Sequence, residues 1–228
     1  MLKKSLLILA GTILFSGCSG NISSENNTEI SEKNTASLTE KIENCKKSGF
    51  IDYVKTKNFT EEKQDTIISN LKKTENSEKL EEYFCSQNRA WRAYSAQNIH
   101  TAPELLWFFS HDEDEIVRQY LASNRKLPEE IAQKLTGDLD SVLYALARNP
   151  HLTEKVLQKI LEKPANIKTQ ESLAYNRGTS ENFQKILAER LSHVKALVQL
   201  AKNPEISENT RKILKKRNIT EVNSALEF

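Results

Sequence analysis

Four copies of one phrase set the period of this chain: Leu121-Ala122-Ser123-Asn124, Leu146-Ala147-Arg148-Asn149, Leu173-Ala174-Tyr175-Asn176 and Leu200-Ala201-Lys202-Asn203. Their Asn residues stand 25, 27 and 27 positions apart, and a fainter copy, Ser95-Ala96-Gln97-Asn98, precedes the first by 26. A fixed period of about 20–50 residues marks a stacked repeat architecture, in which each unit covers the apolar face of its neighbour. With 28% charged residues, 6 Gly and 5 Pro in 228 positions, the composition suits helices rather than many-turned β structure.

Aligning the chain on the Asn places Leu105, Ile131, Val156, Phe183 and the polar exception Thr210 seven residues later. Eleven residues later come Phe109, Leu135, Ile160, Leu187 and Leu214. A four-residue step keeps both positions on one helix face, which is therefore core. Pro128, Thr153, Ser180 and Ser207 are helix-start residues, and Glu129, Glu154, Glu181 and Glu208 follow them, suited to the positive end of the helix dipole. The Asn falls where a short preceding helix must end, a place where Asn tolerates the left-handed conformation. Pro150 and Pro204 directly after it enforce the stop. Each unit is expected to be a short helix, a tight turn and a longer helix of about three turns.

The phrase Val117-Arg118-Gln119-Tyr120-Leu121-Ala122-Ser123-Asn124 followed by Leu127-Pro128-Glu129 resembles the leucine-rich repeat variant family, as do Asp138-Leu139-Asp140-Ser141-Val142 and Asn149-Pro150. The resemblance spans residues 91–217, with Thr169 and Ala196 where the family carries Val. It implies short 3₁₀-type helices alternating with α-helices in a right-handed superhelix without strands. Some members carry an iron–sulfur module rich in cysteines ahead of the repeats. That cofactor does not carry over, because only Cys45 and Cys85 lie there once the leader is set aside. HEAT-like repeats are the alternative, with similar architecture.

Residues 1–17 read as an export signal: Lys3 and Lys4 give the positive end and Leu6 to Phe15 the apolar stretch. The run is too short to span a hydrocarbon core, which needs about 20 residues. Leu14-Phe15-Ser16-Gly17-Cys18 resembles the bacterial lipobox, with Phe15 where Leu is commonest. The resemblance implies that Cys18 is diacylated and becomes the new N-terminus; two or three acyl chains make a stable membrane anchor. Ser19 in place of Asp points to the outer membrane if the host is Gram-negative. Residues 18–36, rich in Ser, Asn, Thr and Glu, form a flexible tether with a reach of about 20–25 Å.

Residues 37–90 are expected to form a helical cap. Ser37 and Glu40 have capping-box spacing and open a helix toward Tyr53, Thr60 caps a second, and a third runs from Ser77 through Tyr83 and Phe84. In an oxidising envelope Cys45 and Cys85 are expected to form one disulfide, against the readings of two free thiols or a metal pair. Two cysteines without a nearby His make a poor zinc set. Residues 218–228 read as a C-terminal tail.

No catalytic constellation stands out, and neither a cofactor nor a metal is expected. The four His lack ligand spacing: His100 and His151 sit two after the Asn in units two apart, and His111 and His193 fall in loops. The run Asp112-Glu113-Asp114-Glu115 reads as a solvated loop. Without Lys3 and Lys4, 31 basic residues face 31 acidic ones, which removes a global electrostatic case for nucleic acid. Two features depart from the repeat pattern. Trp107, with Phe108 beside it, occupies an outward position held elsewhere by Gln133, Gln158, Lys185 and Lys212. Either the cap covers it, with Trp91 nearby, or it anchors a partner protein. The last unit is basic through Arg211, Lys212, Lys215, Lys216 and Arg217, which suits a helix C-terminus and alternatively an anionic glycan or lipid. The reading is thus an all-α, right-handed α-solenoid of about five units, lipid-anchored in a bacterial envelope, that binds another envelope protein without catalysis.

Overall fold

The computed structural model describes residues 38–163 and 166–227, so the leader, Cys18 and the tether lie outside the described residues. Every regular element among them is a helix, and one isolated parallel bridge joins Ile51 to Ser86. No helix among the described residues is long and apolar enough to cross a membrane.

Helix α1 covers residues 38–48 and stops at Gly49, whose φ of +76° ends the helix, rather than continuing to Tyr53 as the capping-box reading expects. Three helices follow: α2 (Tyr53–Thr56), α3 (Glu61–Lys73) and α4 (Ser77–Glu81). Thr60 caps α3 by accepting from Lys63 N–H, and Asn76 rather than Ser77 caps α4. The periodic region then alternates two kinds of helix. The first kind comprises α5 (Arg89–Gln97), α7 (Glu115–Ala122), α9 (Asp140–Arg148), α11 (Ile167–Tyr175) and α13 (Val194–Ala201). Between and after them run α6 (Pro103–Phe109), α8 (Glu129–Leu135), α10 (Glu154–Leu161), α12 (Glu181–Arg190) and α14 (Glu208–Lys216). The two kinds differ little in length, 7–10 residues in the second against 8–9 in the first, because every helix of the second kind stops short of three full turns. The stretch read as a tail holds a further helix, α15 (Thr220–Leu226), which buries Val222, Ala225 and Leu226 against its neighbours.

Helices of the first kind pack on one another in succession: α3 on α5, then α7, α9, α11, α13 and α15. Helices α8 and α10, and α12 and α14, pack in the same next-but-one manner. All ten residues seven and eleven places after the Asn are buried, Thr210 included, and together with Val117, Leu121, Leu146, Leu173 and Leu200 they form one continuous core. A second cluster joins Ile67, Leu71, Leu80 and the wholly buried Trp91, with Tyr53, Phe59 and Tyr83 around it.

The repeated Asn do not adopt the left-handed conformation. Asn98, Asn149 and Asn176 have φ between −67 and −72° with extended ψ; the positive-φ non-glycine residues among those described are Asn58 and Asn218. The Asn are instead bridges. The Asn124 side-chain amide donates to the carbonyls of Ala96 and Asn98 at 2.9 and 2.8 Å. Asn149 donates to Ala122 and Asn124, Asn176 to Ala147 and Asn149, and Asn203 to Ala174 and Asn176. Each side-chain oxygen accepts the N–H two residues on, from Lys126, His151, Gly178 and Glu205. The last carbonyls of a helix have no partner within it, and here the Asn of the following phrase satisfies one of them and pins the turn. That carbonyl belongs to the Ala of the phrase, two residues before its own Asn. The ladder begins in the N-terminal segment: Asn98 donates to Leu71 and Thr74 at the end of α3. Gly178 is required by this stacking, since a Cβ there would stand 2.0 Å from the carbonyl oxygen of Pro150.

Candidate interaction surfaces

Pro103 and Glu104 open α6, and Leu105, Leu106 and Phe109 point into the core. That register turns Trp107 outward, where it is 49% exposed, second among the described large apolar residues to Leu139. Its ring meets the edge of His111 at 5.2 Å between centroids, and His111 Nδ1 lies 3.0 Å from both the Trp107 carbonyl and Ser110 Oγ. Phe108 turns the other way, edge-on to Phe84 of the cap at 5.3 Å. The two aromatics therefore separate: the N-terminal segment covers Phe108 and leaves Trp107 half in solvent. Trp91 belongs to the other cluster and does not shield Trp107.

Beside Trp107 lies a groove of about 890 Å³ between α1 and α6. Its apolar wall combines Ile42, Phe50, Trp107 and Phe108 with the sulfur of Cys45, and Glu43, Glu104 and Glu113 stand at its rim. Lys46, hydrogen-bonded to Glu43 at 2.8 Å, holds that carboxyl below its ordinary range.

Cys45 and Cys85 form the expected disulfide, with Cα atoms 5.8 Å apart. It ties α1 to the segment before α5 and closes a loop of 40 residues. Reduction is expected to act locally, because α1 buries few side chains besides Leu38, Ile42 and Cys45. Trypsin should then cleave after Lys46 and Lys47 at least tenfold faster, while the main thermal transition, set by the Asn-linked stack, moves little. Equal loss of both would place α1 inside the cooperative core.

The acidic run is solvated only at Glu113 and Glu115. Asp112 is buried and receives Arg92 Nε and Nη2 at 2.7 and 3.0 Å, with side-chain exposures of 3% and 0% for Arg92 and Asp112. Arg92 Nη1 also donates to the carbonyls of Ser86 and Gln87, so all three guanidinium nitrogens are engaged. Asp114 caps α7. The same clasp recurs one phrase later, where Arg118 holds Asp138 bidentately and donates to the carbonyls of Asp112 and Glu113. The spacing was visible in the sequence, since Arg92 and Arg118 both stand six before an Asn and Asp112 and Asp138 fourteen after one.

The basic cluster on and just after α14 is partly occupied by structural contacts. Arg211 donates to Leu226, and Arg217 donates to Ala188 and Leu191. Lys212, Lys215 and Lys216 remain exposed. His100 and His151 serve the ladder through their backbone N–H groups, and no cluster of three His, Cys, Asp or Glu suited to a metal is present among the described residues. Comparison with protein families, with curated proteins and with solved structures returned no match.

Proposed function

We propose that the chain is an α-solenoid scaffold of five units, lipid-anchored in the bacterial envelope through Cys18, that binds another envelope protein in the groove at Trp107. The Asn ladder, repeating one bridge from Asn98 to Asn203, supports the solenoid reading, and the family resemblance implies its right-handed course. One observation carries the functional reading: a half-exposed Trp where every other unit places Gln or Lys, over an apolar groove walled by a disulfide-held helix. Exposed aromatics in a pocket with a polar rim are the usual energetic centres of protein interfaces. In this reading the molecule works by binding and not by chemistry.

Trp107→Ala should cost a partner about 2–4 kcal/mol of affinity, a thirtyfold or greater loss, while leaving thermal stability nearly unchanged. Co-purification after envelope crosslinking measures the first and calorimetry the second; unchanged partner recovery would remove Trp107 from the interface. Cys18→Ser should abolish incorporation of a labelled fatty acid and release the protein from the membrane fraction. Continued labelling would refute the anchor.

A further inference from the structure

The Asn ladder fixes the placement of a second surface that the groove at Trp107 does not include. Ten residues directly flank the five Asn, and four of them are cations: Arg125, Arg148, Arg177 and Lys202. None of the ten is acidic, and all four cations are exposed. Elsewhere on the surface Lys155 meets Glu129 and Lys185 meets Glu181 across or along the helices. Among the described residues none of these four cations takes part in an ion pair; Arg148 instead donates to the Tyr144 hydroxyl at 2.7 Å. Because each Asn is hydrogen-bonded to the backbone of the previous one, the phrases that carry these cations stack one unit apart, about 8–10 Å for packed helices, with the cation after the Asn in Arg125 and Arg177 and before it in Arg148 and Lys202.

Arg148 and Arg177, the middle two of the row, line a groove of about 820 Å³ over α7, α9, α11 and α13. Tyr144 and the 43% exposed Tyr175 present rings there, with amides and hydroxyls between them. Arg148, Lys168 and Arg177 outnumber Asp140 and Glu171 in it.

We infer that this Asn-edge groove binds a linear anionic polysaccharide, with the four cations meeting successive acidic groups and the tyrosine rings lying against sugar faces. The charge density decides among polyanions. Duplex DNA carries a charge every ~1.7 Å, far denser than one cation per ~8–10 Å answers, whereas a linear polyuronic acid, with one carboxylate per sugar ring, is sparser and comes closer to it. Tyrosine, with an apolar ring and a polar tip, suits the mixed faces of a sugar, and the Arg fork suits a carboxylate.

The test titrates the purified full chain with polygalacturonate, a linear polyuronic acid, at several salt concentrations. Dextran, vesicles of equimolar phosphatidylglycerol and phosphatidylcholine, and single-stranded DNA run in parallel. Binding to polygalacturonate should be salt-dependent and exceed that to the other three. Combined Arg125→Glu, Arg148→Glu, Arg177→Glu and Lys202→Glu should weaken it by at least about a hundredfold, from about fivefold per exposed charge contact. Should that variant fail to fold by circular dichroism, the pair Arg148→Gln and Arg177→Gln should still weaken it about tenfold or more. Charge reversal at Lys212, Lys215 and Lys216 on α14 should leave the affinity in place. No binding of polygalacturonate, tighter binding of vesicles or DNA, or equal sensitivity to the α14 reversal would overturn the inference. Trp107→Ala should not affect it, which separates this site from the protein-binding groove.

Discussion

Asn124→Ala is expected to destabilise the chain by about 5 kcal/mol, more than any other single truncation of a polar side chain outside the Arg–Asp clasps. Three hydrogen bonds vanish together: two donated to Ala96 and Asn98 and one accepted from Lys126 N–H. Asn124 is fully buried, so water does not replace them. Each lost bond is worth about 0.5–1.5 kcal/mol net, and a buried carbonyl or N–H left unpaired costs about 1–3 more. Chemical denaturation with far-UV circular dichroism measures the loss. Asn124→Asp discriminates further, because a carboxylate keeps the acceptor and turns both donors into charge facing two carbonyl oxygens. Its folded-state pKa would rise above the unfolded value. The variant is therefore most stable below that unfolded value and loses stability as pH rises through the folded one. A variant costing under 1 kcal/mol, or stable independently of pH, would contradict the ladder as a source of cohesion.

Asp112→Ala is expected to cost about 3–5 kcal/mol, because it strands the Arg92 guanidinium, 3% exposed, without its counter-charge. Replacing both partners by apolar residues, Arg92→Met with Asp112→Leu, should cost less than the single change, since the burial of charge disappears with it. The Arg118–Asp138 clasp serves as an internal comparison. Its side chains are 15% and 12% exposed, so Asp138→Ala should cost only about half as much. Burial pushes the Asp138 carboxyl up, but the Arg118 fork and the Leu139 N–H outweigh it and hold the group below its ordinary value. A depressed carboxyl contributes stability above its unfolded pKa and loses it as pH falls through the folded one. The Asp138 share of stability should therefore fade only in acid, and Asp138→Ala should flatten that limb of the pH profile.

The apolar frame was legible in the sequence because its period survives substitution. Leucine, isoleucine, valine and phenylalanine interchange at the two inward positions, and even Thr210 is buried in register. Helix starts were legible for the same local reason: Ser180 and Ser207 cap through neighbours three residues away. What failed depended on groups about 25 residues apart. Asn was read as a conformational device because its own helix end was in view, whereas its partners are carbonyls of the preceding phrase. Asp112 was read as solvated because three acids surround it in sequence, while Arg92, twenty residues earlier, meets it in space. The cap held both kinds of case. Cys45 and Cys85 were paired by parity, but no sequence signal disclosed that Asn98 would bond to Leu71 and Thr74 and so draw α3 into the stack. Trp107 was legible as an anomaly; that Phe108 beside it would turn inward onto Phe84 was not.

The most direct test of the scaffold reading places a photo-crosslinking amino acid at position 107 in the full chain, in living envelopes. A matched probe at position 212 on α14, where the last unit is exposed, serves as the control. The account predicts one discrete heteroprotein adduct from position 107, absent from position 212 and lost when Ile42 and Phe50 of the groove are replaced by Asp. No adduct at 107, or the same adduct from both positions, would contradict it.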